Sequence, residues 1–368
     1  MGLFDFLNSA SKSSTTPEDD VIGRWEFLGG VCRDALRGRN EIAWRTGSAW
    51  FELWFQGLER RAAQSLGRRL AHAAVEHEEY MLSLGGKNPP KGRNPDSWNY
   101  SRMLWETSGF GRFSLLEDGD ETLLFVEKPA SVPICAGIIA ASWEESTGKR
   151  HRFLWNEGAE GGLVVTMSLD ETNIPKPDPL DSDWYRANME ATSDGKLSDG
   201  NWQDLRVDSP GQWSIMGERR MFLHLDLLQR FEEYCLPYMN GIHEGRSECY
   251  DWNGIDVRRS DWWTAAADSA RERFVSEGHH VLIRDHSDWP QIVQRHLSRH
   301  GLGEAESALP VGDKGGVRLS FSSMFHPAIS GGILLGCWER AFGRNGKVLT
   351  LQVDGKMTIE ILPSREIS

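Results

Sequence analysis

The chain contains no C-x-x-C pair, and its five cysteines, Cys32, Cys135, Cys235, Cys249 and Cys337, are an odd number. A disulfide framework or a zinc knuckle is therefore not expected, and reduced thiols in a cytoplasmic protein are. No apolar run is long enough to span a bilayer, so stable membrane insertion is not expected. The start, MGLFDFLNSASKSSTTPEDD, lacks the basic end, apolar run and cleavage site of a signal peptide. Gly2 is followed by Phe6 where a myristoylation signal needs Ser or Thr. Positive charge is in deficit, with 41 Lys and Arg against 54 Asp and Glu. That balance repels phosphate backbones and argues against nucleic acid as a partner. The basic stretch GLERRAAQSLGRRL (57–70) has the spacing of a solvated helix face.

Catalytic signatures are missing as well. There is no G-x-S-x-G elbow, no Rossmann fingerprint and no H-E-x-x-H. VGDKGG (311–316) lacks phosphate-loop spacing and is expected to be a turn. Glu144 and Glu145 are neighbours on an expected helix, point apart and suit acid–base work poorly. Neither an enzyme activity nor a cofactor is expected.

What is present is a globular composition, 39% hydrophobic and 26% charged over 368 residues, long enough for two domains. Residues 1–20 form an expected flexible segment with a short apolar motif, Leu3, Phe4, Phe6 and Leu7, able to dock on a partner protein or touch a membrane surface. A stretch rich in Pro, Asp, Ser and Gly at 171–218 marks an expected linker. It separates a first unit, 21–170, from a second, 219–368.

The two units resemble each other. GFGRFSLLEDGDETLLFVEKPASVPICAGIIAASWEESTG (109–148) lies over GLGEAESALPVGDKGGVRLSFSSMFHPAISGGILLGCWERAFG (301–343) with a short gap. Gly109 and Gly111 meet Gly301 and Gly303, Gly137 meets Gly332, and Trp143-Glu144 meets Trp338-Glu339. Upstream, 46–62 is laid over 258–274 and 27–39 over 232–246. The expected order in each unit is a helix (22–38; 222–240), a short strand and a second helix (48–75; 261–276). A G-x-G turn and an alternating strand follow, then an apolar small-residue helix and a closing hairpin. The fold class expected is α+β: two tandem, internally duplicated units, each with helices packed on a small antiparallel sheet.

The G-x-G turn, strand, small-residue helix and hairpin, and PICAGIIAASWEESTGKR in particular, resemble the 4-vinyl-reductase-like domain, whose fold is related to the small subunits of TRAPP tethering complexes. The resemblance covers about 40 residues well in each unit. It implies a ligand-holding or dimerising module, here an intramolecular pseudo-dimer able to form homo-oligomers, and no reaction. Members that bind metal tend to carry cysteines in the final hairpin, and this chain has none there.

Aromatic residues supply further candidates among the 16 tryptophans. Trp143, Glu144, Trp338 and Glu339 recur at matched positions, and Trp50, Phe51, Trp262 and Trp263 cluster. Each could frame a ligand or an interface, and core packing competes with that reading throughout. Eight of the eleven histidines follow residue 220. His296 and His300, four apart, are weak metal candidates. The function expected is a non-enzymatic binding or scaffold protein that recruits a partner protein, with a small apolar ligand in one unit. The alternatives are a sensor of a hydrophobic molecule and a metal-dependent enzyme using the histidines.

Overall fold

The computed structural model describes residues 16–37, 41–84, 89–172, 175–180, 197–198, 200–353 and 356–364. The apolar motif at Leu3, Phe4, Phe6 and Leu7 lies outside the described residues.

Thr16 and Asp19 close a reciprocal capping box, and Pro17 opens helix α1 (Pro17–Arg24). Residues 16–20, which fall in the expected flexible segment, are thus ordered here, and Glu18 also accepts a bond from the Val207 backbone at 2.9 Å. Beyond α1 the chain is extended. Strands β1 (Trp25–Leu28) and β2 (Val31–Asp34) turn at Gly29-Gly30, both at positive φ, and β3 (Ile42–Gly47) follows. The helix expected over 22–38 is thus mostly a β-meander. Helix α2 (Ser48–Ala62) and helix α3 (Gly67–Ser83) replace the single helix expected at 48–75. After α4 (Asn99–Ser108) come β4 (Arg112–Asp118), β5 (Thr122–Glu127), α5 (Val132–Thr147), β6 (His151–Glu157) and β7 (Leu163–Leu169).

The second half runs in a similar order, without a counterpart of α1 among the described residues and with two added short strands. A two-residue strand, β8 (Leu197–Ser198), pairs with β1. A second meander is formed by β9 (Leu205–Ser209), β10 (Gln212–Ile215) and β11 (Glu218–His224), so residues 205–218 of the expected linker are strands and turns instead. Helix α6 (Leu225–Cys235), β12 (Tyr250–Trp252), α7 (Val257–Ser276) and α8 (Trp289–His296) lead to β13 (Gly303–Val311) and β14 (Gly316–Met324). Helix α9 (Pro327–Phe342), β15 (Gly346–Val353) and β16 (Lys356–Pro363) complete the described fold. The class is α+β, with helices and largely antiparallel sheets. The end sheets share one strand order, β4-β5-β7-β6 and β13-β14-β16-β15, and β12 extends the second.

Between them the two meanders join into a seven-stranded sheet, β8-β1-β2-β3-β11-β10-β9. Its centre is the antiparallel pair β3–β11, in register from Gly47↔Arg220 to Ala43↔His224 about Arg45↔Phe222. A local two-fold relation passes through that pair. Each of the two strands runs without a break into a helix, at Ser48 and at Leu225.

The helices interlock across this axis. Helix α2 packs on α7 of the other half, and α6 packs on α3, while α3 and α7 each carry their own small-residue helix, α5 or α9. The G-x-G turns cross over too. Gly111 N–H donates to Gly211 O, and Gly303 N–H donates to Gly30 O, both at 2.9 Å. The upstream matches of the sequence comparison are therefore corrected: α2 corresponds to α6 and α3 to α7, whereas α2 and α7 are partners. One large apolar core runs through both halves. A smaller one, with Trp25 stacked on Phe222 at 3.9 Å, covers the other face of the central sheet.

Candidate functional site

Gly47 and His224 occupy the same place in the two halves, as the last residue before α2 and α6. Beside each lies a cavity built from equivalent positions. Around His224 stand Glu78, Leu104, Ser108, Phe110 and Ile138. Around Gly47 stand Phe274, His296, His300, Leu302 and Ile333. The correspondence follows from the packing: Gly137 abuts Ala71 O as Gly332 abuts Ala267 O, and Glu78 and Phe274 follow those alanines by the same interval.

In the first half the cavity is closed by the chain itself, leaving about 20 Å³. The Arg24 guanidinium enters from α1. It pairs with Asp34 at 2.6 Å and donates to Thr107 and Ser108 hydroxyls, each at 2.9 Å, and to the Leu104 carbonyl. His224 Nε2 lies 3.0 Å from Asp34 Oδ2. Arg37 reaches Glu78 at 3.8 Å. Burial alone would raise the Asp34 carboxyl, but Arg24 and His224 outweigh it and hold it far below the carboxylate range. Burial pushes His224 down to about 4, so at neutral pH its ring is uncharged and donates to Asp34. All of these charges are matched within the protein.

In the second half the same position is an open cleft of about 270 Å³. Glycine in place of His224 removes a ring. The Ile215 side chain stands where Asp34 stands in the first meander, two residues beyond the strand pairs Cys32↔Ala43 and Trp213↔Arg220. A Cβ on Gly47 would lie 2.1 Å from Glu218 Oε1, the end of a half-exposed side chain.

The walls have two characters. Trp44 and Trp50 meet edge to face at 5.2 Å, and Phe274, Leu302 and Ile333 continue an apolar floor. Four arginines, Arg45, Arg220, Arg295 and Arg299, face two carboxylates, Glu218 and Glu277. Arg220 is paired with Glu218 at 2.6 Å, and burial pulls its pKa down. Glu277 holds Arg273 and His279 at 3.1 and 2.9 Å. The Arg45 guanidinium donates to Gly200 and Arg299 carbonyls at 2.6 and 2.5 Å. Among the described residues, Arg295 and Arg299 make no ion pair. His296 is 8% exposed, and its Nε2 has no hydrogen-bond partner among the described residues. Burial, then His279 and Arg295, push the His296 pKa down to about 4. Burial holds His300 well below the usual histidine range too.

The sequence candidates divide accordingly. Trp50, His296 and His300 come together in the cleft. Helix α8 ends at His296, so the two histidines do not share a helix face. Among the described residues no group of three His, Cys, Asp or Glu side chains could hold a metal ion. Phe51, Trp262 and Trp263 are core residues, with Trp263 Nε1 donating to Glu232 at 3.2 Å. Trp143 and Trp338 are fully buried at helix ends. Glu144 and Glu339 recur because each carboxylate accepts the first backbone N–H of the following strand, from His151 at 2.5 Å and Gly346 at 3.0 Å. The small-residue faces of α5 and α9 are filled by α3 and α7.

A second cavity, about 1020 Å³, lies against α3 and β6, with the sequence candidate Glu144 of α5 and Tyr234 of α6 also in its wall. Phe153, Leu154 and Leu169 line it together with Arg68, Glu79 and Arg150. Gly47 and the four arginines escaped the sequence reading. Linear traces of the site are Trp50 and the His/Arg spacing in QRHLSRH (294–300). No family model, curated protein or solved structure matches the chain.

Proposed function

We propose that this chain is a non-enzymatic binding protein whose ligand seat is the cleft beside Gly47. One observation carries this reading: two equivalent positions exist, and one is closed by the chain's own ion pairs while the other is left open with charge unmatched. The chemistry of the lining supports binding over turnover. Among the described residues the cleft walls hold no Cys, Ser or Lys, and the Thr46 hydroxyl donates to the Gly47 carbonyl at 3.4 Å. Cysteine thiols elsewhere are buried and raised, Cys135 to about 11 and Cys235 to about 12. The repeated strand–helix–hairpin order also supports reading each half as a 4-vinyl-reductase-like module.

The test uses the full chain and Gly47→His, which reproduces the residue of the closed position. Each protein is equilibrated with a small-molecule extract of its expression host, desalted and examined by native mass spectrometry. The released compound is then identified and re-incubated with excess protein. The expected result is an adduct on the parent, absent from Gly47→His, and a compound returned unchanged. Progressive consumption of the compound would make the protein an enzyme. An adduct retained in full by Gly47→His would place the seat elsewhere.

A further inference from the structure

Resting on the binding reading above, we infer that the cleft takes a small ligand with an oxyanion, phosphate or carboxylate, attached to a flat apolar body. The chain as a whole carries a net charge of −13. Against that background the cleft is lined by four arginines and only two glutamates, and those carboxylates already have partners. Arg295 and Arg299 are left to meet a charge from outside. A guanidinium presents a planar fork of donors that matches a carboxylate or phosphate edge, so this residue type suits an oxyanion better than a neutral polar group.

A second observation points to the same chemistry. His296 Nε2 is buried and, among the described residues, has no hydrogen-bond partner. A neutral imidazole nitrogen donates when it carries the ring proton, and a ligand oxyanion then satisfies a buried atom that is otherwise costly to leave unpaired. The remaining groups around it are the Phe274 ring at 5.0 Å and the His279 ring at 5.4 Å, with Arg295, Arg299 and Glu277 as its charged neighbours.

The closed position shows what the fold puts at this place when it supplies the charges itself. There a carboxylate, Asp34, is held between a guanidinium and an imidazole. In the cleft guanidinium and imidazole groups come from other positions, Arg295, Arg299, His296 and His300, and apolar Ile215 takes the place of the carboxylate. An external oxyanion completes the same combination. The cleft, at about 270 Å³, is also larger than a bare oxyanion needs, since one water's share of the liquid is about 30 Å³. Trp44, Trp50, Phe274 and Ile333 give the rest of the ligand an aromatic and aliphatic wall, against which a flat ring packs.

The experiment is calorimetric titration of the full chain with phenyl phosphate, benzoate and phenol at low salt. Phenyl phosphate and benzoate are expected to bind, and their ratio tells which oxyanion the cleft favours; phenol is not. Arg299→Gln, a change at an exposed position, should weaken the better ligand by about 10- to 100-fold, the loss of one charge-assisted bond. His296→Leu, checked for native circular dichroism, should weaken it as well. Arg152→Gln, on a far strand, should change nothing. Phenol binding as tightly as phenyl phosphate, or an affinity untouched by Arg299→Gln, overturns the inference. A neutral host compound that is lost in Gly47→His would overturn the oxyanion alone and leave the binding reading standing. Failure of every probe together with no host adduct removes both.

Discussion

Replacing Gly332 with leucine is expected to destabilise the fold by about 3 kcal/mol or more, the upper end for overpacked contacts. A Cβ at this position would lie 2.0 Å from the Ala267 carbonyl oxygen and 2.9 Å from Ala267 Cα. Those are backbone atoms of α7 and cannot swing aside as a side chain can. Gly137 has the same role in the first half, 2.2 Å from the Ala71 carbonyl oxygen, and Gly137→Leu should behave alike. Glycine in a helix interior costs about 1 kcal/mol relative to alanine. Here the close approach of two helix backbones offsets that cost. Gly331, one residue away, has nothing nearer than 3.5 Å, so Gly331→Ala serves as the tolerated control. Urea unfolding of the three variants measures the difference. Equal midpoints for Gly332→Leu and Gly331→Ala would mean that the contact does not exist.

Asp268→Ala should cost about 3–5 kcal/mol, the usual penalty for stranding a buried charge. Asp268 lies on α7 and ties it to α2 of the other half. Its carboxylate accepts from Arg61 Nη2 at 2.7 Å and Nε at 2.9 Å, from Arg271 at 2.8 Å and from the Tyr250 hydroxyl at 3.2 Å. Arg61 and Asp268 side chains are 2% and 1% exposed. Burial would raise the Asp268 carboxyl, but Arg271 and Arg61 outweigh it and keep the pKa below the ordinary value. Without Asp268, Arg61 retains, among the described residues, only the more exposed Glu272 at 2.9 Å as a charged partner. The added change Arg61→Met should recover part of the loss, because it removes the stranded cation. A single variant as stable as the parent would show that the two halves are not held by this pair.

The parts of the fold that could be read from sequence are those with strong local signals. Helices α5 and α9 are long, apolar and closed by Gly148 and Gly343 in the left-handed conformation. The hairpins alternate over seven residues or more. The first meander was misread because its strands β1 and β2 are four residues long, too short for a period of two to stand out from a helical one. The break between α2 and α3 falls at Ala63, which is left-handed without being glycine, so no residue type announces it.

The upstream repeat register failed for a different reason. Trp50-Phe51 and Trp262-Trp263 look alike because α2 and α7 face each other across one core, where Trp54 Nε1 donates to Ala266 O at 3.0 Å. Shared surroundings produced similar composition at positions that are not equivalent. The cleft was the least legible feature. It draws Gly47, Arg220, His296 and Ile333 from four separated segments, and its meaning depends on comparison with a second position in space.

The most direct test of that comparison is an imidazole-detected nuclear magnetic resonance titration of the full chain with phenyl phosphate. The account predicts a saturable shift of the His296 ring nitrogens, with His224 and His77 unmoved because their position is closed by Arg24, Asp34 and Glu78. Movement of His224 with His296 unchanged, or no movement at either, would contradict it.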